Sequence, residues 1–83
     1  MREILLKSST TINYHLPTIS HVTLKVFDVL GREVATLVDA VEEPGYKSVK
    51  FDASRHVGIA SGVYLYRLQA GRFVETKKML VVR

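Results

Sequence analysis

Between residues 22 and 38, hydrophobic and polar positions alternate, pause and resume in a way that predicts an antiparallel hairpin. Val22, Leu24 and Val26 point one way, while Thr23 and Lys25 point the other. Phe27 interrupts the polar side, so that face is expected to be covered at its far end. Asp28 and Gly31 occupy the first and fourth positions of a four-residue turn. A type I turn accepts Asp first because its carboxylate can bond nearby backbone N–H groups. Gly31 then takes a left-handed conformation that costs most other residues energy, and closes the hairpin with a bulge. After the turn, Val34, Leu37 and Val38 do not hold one parity. The return strand is therefore twisted, bulged or partly buried on both sides.

The same alternation recurs elsewhere. Ile12, Tyr14 and Leu16 share a face opposite Thr11, Asn13 and His15, and Pro17 stops that strand by removing a ladder donor. Residues 42–45 predict a turn with Pro44 at its second position and Gly45 supplying the positive angle of type II at its third. Val49 and Phe51 face inward on the next strand, with Ser48, Lys50 and Asp52 outward. Residues 53–60 lack either period and predict a loop with room for one helical turn. After Ser61-Gly62, Tyr64, Tyr66 and Leu68 share a face with Val63 and Leu65 behind, as in a central strand covered on both sides. Gly71 makes the last turn. In the final strand Glu75 and Lys77 share parity with Phe73, Met79 and Val81, which predicts either a bulge or an edge with a wet middle. Residues 1–8 are atypical, an edge strand or a frayed end. Six to seven short strands without sustained helical period imply a small all-β, antiparallel sandwich over residues 9–83.

Composition adjusts this picture little. Eighty-three residues make one small domain, and 47% hydrophobic with 24% charged residues is ordinary for a globular chain. The absence of cysteine excludes disulfides and thiolate metal sites. The net charge of +4 raises the question of nucleic acid, but the twelve Lys and Arg are scattered and only Lys77-Lys78 adjoin. No run reaches the length of a membrane span, and the start has no signal-peptide core.

Candidate chemistry is sparse. His15, His21 and His56 form no metal-binding spacing and read as solvated side chains. Asp52, Ser54, His56 and Ser61 supply hydrolase residue types without a nucleophile elbow. No catalytic residue, cofactor or metal ligand is assigned. Tyr64 and Tyr66 could form a platform for sugars, but that spacing more often lines a core. Lys77-Lys78 could meet an acidic groove or guard an edge strand.

A resemblance is more informative. Ser9-Thr10-Thr11-Ile12 leads to Tyr14 and Leu16-Pro17. The run from Val22 to Asp28 continues into Leu30-Gly31-Arg32-Glu33-Val34. Pro44-Gly45, Phe51-Asp52-Ala53, the run from Ala60 to Leu68, Gly71, Phe73 and the run from Glu75 to Leu80 follow in order. Together these blocks resemble the type A C-terminal sorting domain of the bacterial type IX secretion system, a sandwich akin to the Ig-like domain of flagellar hook-capping proteins. The resemblance implies an Ig-like fold and a targeting role at the C-terminus of secreted enzymes and adhesins. Such domains are recognised at the periplasmic side of the outer-membrane machinery and removed by a sortase-like protease, leaving cargo at the cell surface or secreted. A folded domain serves as an address when its last strand offers groups to a receptor. Lys77, Lys78, Met79, Leu80, Val81, Val82 and Arg83 are the expected contact. Asp28, Gly31, Pro44, Gly45, Gly62 and Gly71 are expected to set turns and shape alone.

Two departures qualify the match. The family enters its first strand through Asn-Pro-Phe-Asn-Pro, where this chain has residues 4–8. The chain also carries neither cargo domain nor signal peptide, which suggests a piece, or a reading frame, separated from its cargo. If the altered N-terminus does not pair, an exposed sheet edge would invite a homodimer. The competing reading is a generic Ig-like spacer or interaction module; a sugar-binding module using Tyr64 and Tyr66 ranks third.

Overall fold

Seven strands follow in order: Glu3–Leu6 (β1), Ser9–Leu16 (β2), Ser20–Asp28 (β3), Glu33–Glu42 (β4), Gly45–Asp52 (β5), Gly62–Ala70 (β6) and Phe73–Val81 (β7). Among the described residues one 3-10 turn, Ala53–Arg55, interrupts them. The computed structural model describes residues 3–6, 9–56 and 58–82, the first four by their backbone alone. Strands β1-β7-β6-β3-β4 form one sheet, and β2-β5 form the sheet packed against it. The result is the expected all-β sandwich.

Alternation decides the core. Val22, Leu24 and Val26 of β3, Tyr64, Tyr66 and Leu68 of β6, and Met79 and Val81 of β7 project from one sheet. Ile12, Tyr14 and Leu16 of β2 and Phe51 of β5 meet them from the other, and Ala53 and Ile59 from the connection fill the end. Strand β6 lies between β3 and β7, as its doubly apolar pattern predicts. Tyr64 and Tyr66 are buried and so form no aromatic platform for sugars, and the Tyr64 hydroxyl donates to the Ala60 carbonyl at 2.9 Å.

The β3–β4 hairpin closes as its residues require. The Gly31 N–H donates to the Asp28 carbonyl at 3.0 Å, and the Asp28 N–H donates to the Arg32 carbonyl at 2.9 Å. Asp28 Oδ1 also accepts from the Leu30 and Arg32 N–H groups. Gly31 has φ +83° with open space around its Cα, so only backbone strain opposes a side chain there. Gly31→Ala is expected to lower unfolding stability by about 1–2 kcal/mol, measured by denaturant titration, and Gly31→Asn by less. Register shifts between Leu24 and Lys25 and between Val26 and Phe27 account for the mixed parity of β4.

Two local expectations need correction, and of the two alternatives for β7 the edge with a wet middle holds rather than the bulge. Gly45 is not the third residue of a type II turn: its φ is +135° and it opens β5, paired with Leu16. Pro44 and Gly45 carry the chain from one sheet to the other, so no hairpin is made there. The sandwich is not wholly antiparallel either, because β1 pairs parallel to β7, from Glu3↔Lys78 to Leu6↔Val81. Parallel neighbours need a long connection, and here the rest of the domain is that connection. Finally, β7 has no bulge; its register with β6 runs unbroken from Gly62↔Val81 to Ala70↔Phe73. Glu75 and Lys77 sit on the inner face because a two-stranded sheet covers five strands incompletely. They pair with each other at 3.3 Å, and Phe73 beside them is 55% exposed. With β1 in place over 78–81, the condition attached to a homodimer is not met along that stretch.

Candidate functional site

The terminal strand carries two different faces. Met79 and Val81 point inward and are 0% and 2% exposed; they are core residues held by the same contacts that hold the sandwich. Lys78 and Leu80 point outward and are half-buried, and Val82 is exposed. The adjacent lysines therefore serve opposite faces, Lys77 beside Glu75 within and Lys78 without. Arg83 lies outside the described residues. One backbone edge of β7 is taken by β6 along its whole length, and the other by β1 from Lys78 to Val81.

The outer face around Lys78 gathers residues far apart in the chain. Leu65 stands opposite both Lys78 and Phe27, and Arg67 opposite both Lys25 and Thr76. The Arg67 guanidinium lies 5.1 Å from the Phe27 ring centroid, a cation–π contact that covers the far end of this face. Lys25 donates to Glu33 at 3.0 Å. That bond, then one from Thr36, holds the Glu33 carboxyl below the usual range. Lys25, Arg67 and Lys78 thus form a cationic band beside Leu65 and Leu80. Sequence reasoning missed it and read the cations as scattered, because only the β3–β6–β7 register brings them together.

The remaining sequence candidates are structural. Asp52 caps the 3-10 turn, accepting from the Ser54 N–H at 3.0 Å and its hydroxyl at 2.6 Å. The Ser54 hydroxyl bond, then the N–H and Arg55, lower the Asp52 carboxyl pKa. His56 stacks on Phe51 at 5.3 Å, so Asp52, Ser54 and His56 build a cap and not a triad. His15 stacks on Tyr46 and His21 pairs with Asp39 at 2.7 Å. No cluster among the described residues could hold a metal ion. Gly62 begins β6 opposite Val81, and Gly71 with Arg72 makes the two-residue β6–β7 turn.

The shared face of β2 does not reveal that the Tyr14 hydroxyl donates to Glu42 at 2.5 Å and ties β2 to the end of β4. Burial first, then the bond to Glu42 and its charge, raise the tyrosine pKa. A proton held more tightly when folded supports stability below the unfolded value, about 10, and that support is lost as pH rises beyond it. Tyr14→Phe is expected to cost about 0.5–1.5 kcal/mol at neutral pH and to flatten the decline in thermal stability above pH ~10, read by calorimetry.

A family model described as "Secretion system C-terminal sorting domain" matches residues 6–82. The chain belongs to this sorting-domain family. The match spans β2 to β7 and includes the terminal strand, in agreement with the type IX resemblance of the sequence blocks. Among solved structures, the chain is similar to the Ig1 domain of mouse SynCAM 2, at 8% identity and TM-score 0.44, over 96% of this chain and 88% of that one. No curated protein matches. The sorting-domain family is a secretion signal and not a catalytic family, and its role is export to the cell surface or release.

Proposed function

We propose that this sorting domain directs an attached N-terminal cargo through the periplasm and across the outer membrane by type IX secretion, and that the machinery reads the outward face of β7 and the residues after it. The single observation that supports this reading is the split character of the terminal strand. Met79 and Val81 are committed to the core, while Lys78 and Leu80 lie on the side of the sheet where Lys25 and Arg67 add charge, with exposed Val82 following them. A folded surface of that kind can be gripped without any bond being made or broken in the domain. Removal by a sortase-like protease would then act on the chain before the sandwich, leaving the cargo at the surface.

Transfer of the address tests the proposal. The chain is fused behind a reporter with its own signal peptide, in a host that has the type IX machinery, and the reporter is located by fractionation. Arrival at the surface or in the medium is expected. Retention in the periplasm would contradict the proposal and leave a spacer module as the better reading.

A further inference from the structure

We infer that β1 masks the terminal strand, and that the partner is an extended, apolar strand running parallel to β7 which pairs first with its open stretch 73–77 and then displaces β1. The inference rests on the sorting reading for its biological setting, but its physical argument is separate.

Strand β7 has nine residues, and β6 pairs with every one of them. On its other edge β1 pairs only with Lys78 to Val81; no described residue pairs with 73–77. The covering strand makes the shortest ladder among the described residues, four residues long and parallel, a pairing less stable per residue than the antiparallel kind. Short, peripheral elements open at a small fraction of the global unfolding free energy.

The open stretch has only part of the usual protection of an edge, the inward-pointing charges of Glu75 and Lys77, which are spent on each other. Proline and bulges blunt exposed strands, and β4, at the far edge of this sheet, has two register shifts. Stretch 73–77 has neither, and Phe73 and Val74 are 55% and 52% exposed. Its lysine points inward and is engaged by Glu75. Beside it a groove of about 470 Å³ opens between the sheets, lined by Tyr14, Leu16, Leu68 and Phe73 with His15 and Glu75 at its polar side. A strand added here would place alternate side chains toward that groove, which selects apolar residues at every second position. The direction follows from β1 itself, whose register already shows that this edge accepts a parallel strand. Initial pairing at 73–77 lets exchange proceed residue by residue, without the whole of β1 having to leave first.

The test uses the full chain and a fluorescein-labelled peptide as long as β7, Val-Thr-Val-Thr-Val-Glu-Ile-Leu-Leu, with an N-methylated copy as control. Saturable binding of the first peptide alone is expected. It should be accompanied by loss of hydrogen-exchange protection at residues 3–6 and retained protection at 78–81. Leu5 and Leu80 are register partners, and adjacent strands bring Cα atoms within disulfide range. The oxidised Leu5→Cys/Leu80→Cys chain should bind at least ~10-fold more weakly, with recovery on reduction. Phe73→Lys with Val74→Lys, both on exposed positions, should slow association by about as much. Binding that leaves β1 protected, or that is equal in the crosslinked chain, would overturn the inference. In the reporter assay, export of the crosslinked variant at the wild-type level would also overturn it and leave the sorting reading intact. Failure of the wild-type fusion would instead remove the sorting reading, while peptide exchange would still decide the mask.

Discussion

Phe51→Ala is expected to lower unfolding stability by about 3–5 kcal/mol, measured by urea titration. Phe51 is 1% exposed and is the largest fully buried side chain among the described residues. It comes from β5, one of only two strands that cover the larger sheet, so no neighbouring strand can move in to fill the space. Its ring also supports His56 and hence the capped turn after β5. A domain of this size has about 5–15 kcal/mol of stability in all. The loss would therefore bring the variant close to unfolding at growth temperature. Val41→Ala, at a position 65% exposed, should change stability by no more than about 0.5 kcal/mol. A Phe51→Ala chain as stable as the wild type would mean that the two sheets do not share the core described above.

Deleting residues 77–83 should abolish cooperative unfolding altogether. The deletion removes Met79 and Val81, both buried, and truncating a buried Met alone costs about 2–5 kcal/mol. It also strips the β6 edge from Gly62 to Tyr66 and every partner of β1. The expected result is a chain without a sigmoidal melting curve by circular dichroism. A deletion variant that melts cooperatively would contradict the placement of β7 in the core. Loss of export on deletion would consequently report unfolding as well as loss of an address. Substitutions confined to the outward face avoid that confusion.

Much of this architecture was legible because each strand carries its own evidence. Alternation in β2, β3 and β5 reflects one face on the core and one on solvent, a contrast visible within seven or eight residues. The Asp28–Gly31 turn was legible for the same reason: donor, acceptor and positive φ all lie within five residues. What escaped is non-local. Nothing around Glu3–Leu6 indicates a partner at the other end of the chain, since a parallel pair has no turn to announce it. Strand β7 misled because its inner face leaves the core halfway along, which puts Glu75 and Lys77 where alternation predicts apolar groups. Pro44-Gly45 reads as a tight type II turn, and only packing reveals that the flanking strands belong to different sheets. The Tyr14–Glu42 bond and the Lys25–Arg67–Lys78 band likewise depend on register. The resemblance pointed correctly to the family, whereas the division of labour within its terminal strand required the burial of each residue.

That division is tested most directly by Lys78→Glu combined with Leu80→Glu on a signal-peptide-bearing reporter fusion, with the melting temperature of the isolated variant measured alongside. The account predicts a cooperative melt within a few degrees of wild type and a reporter held in the periplasm. Export at the wild-type level by this folded variant would contradict it.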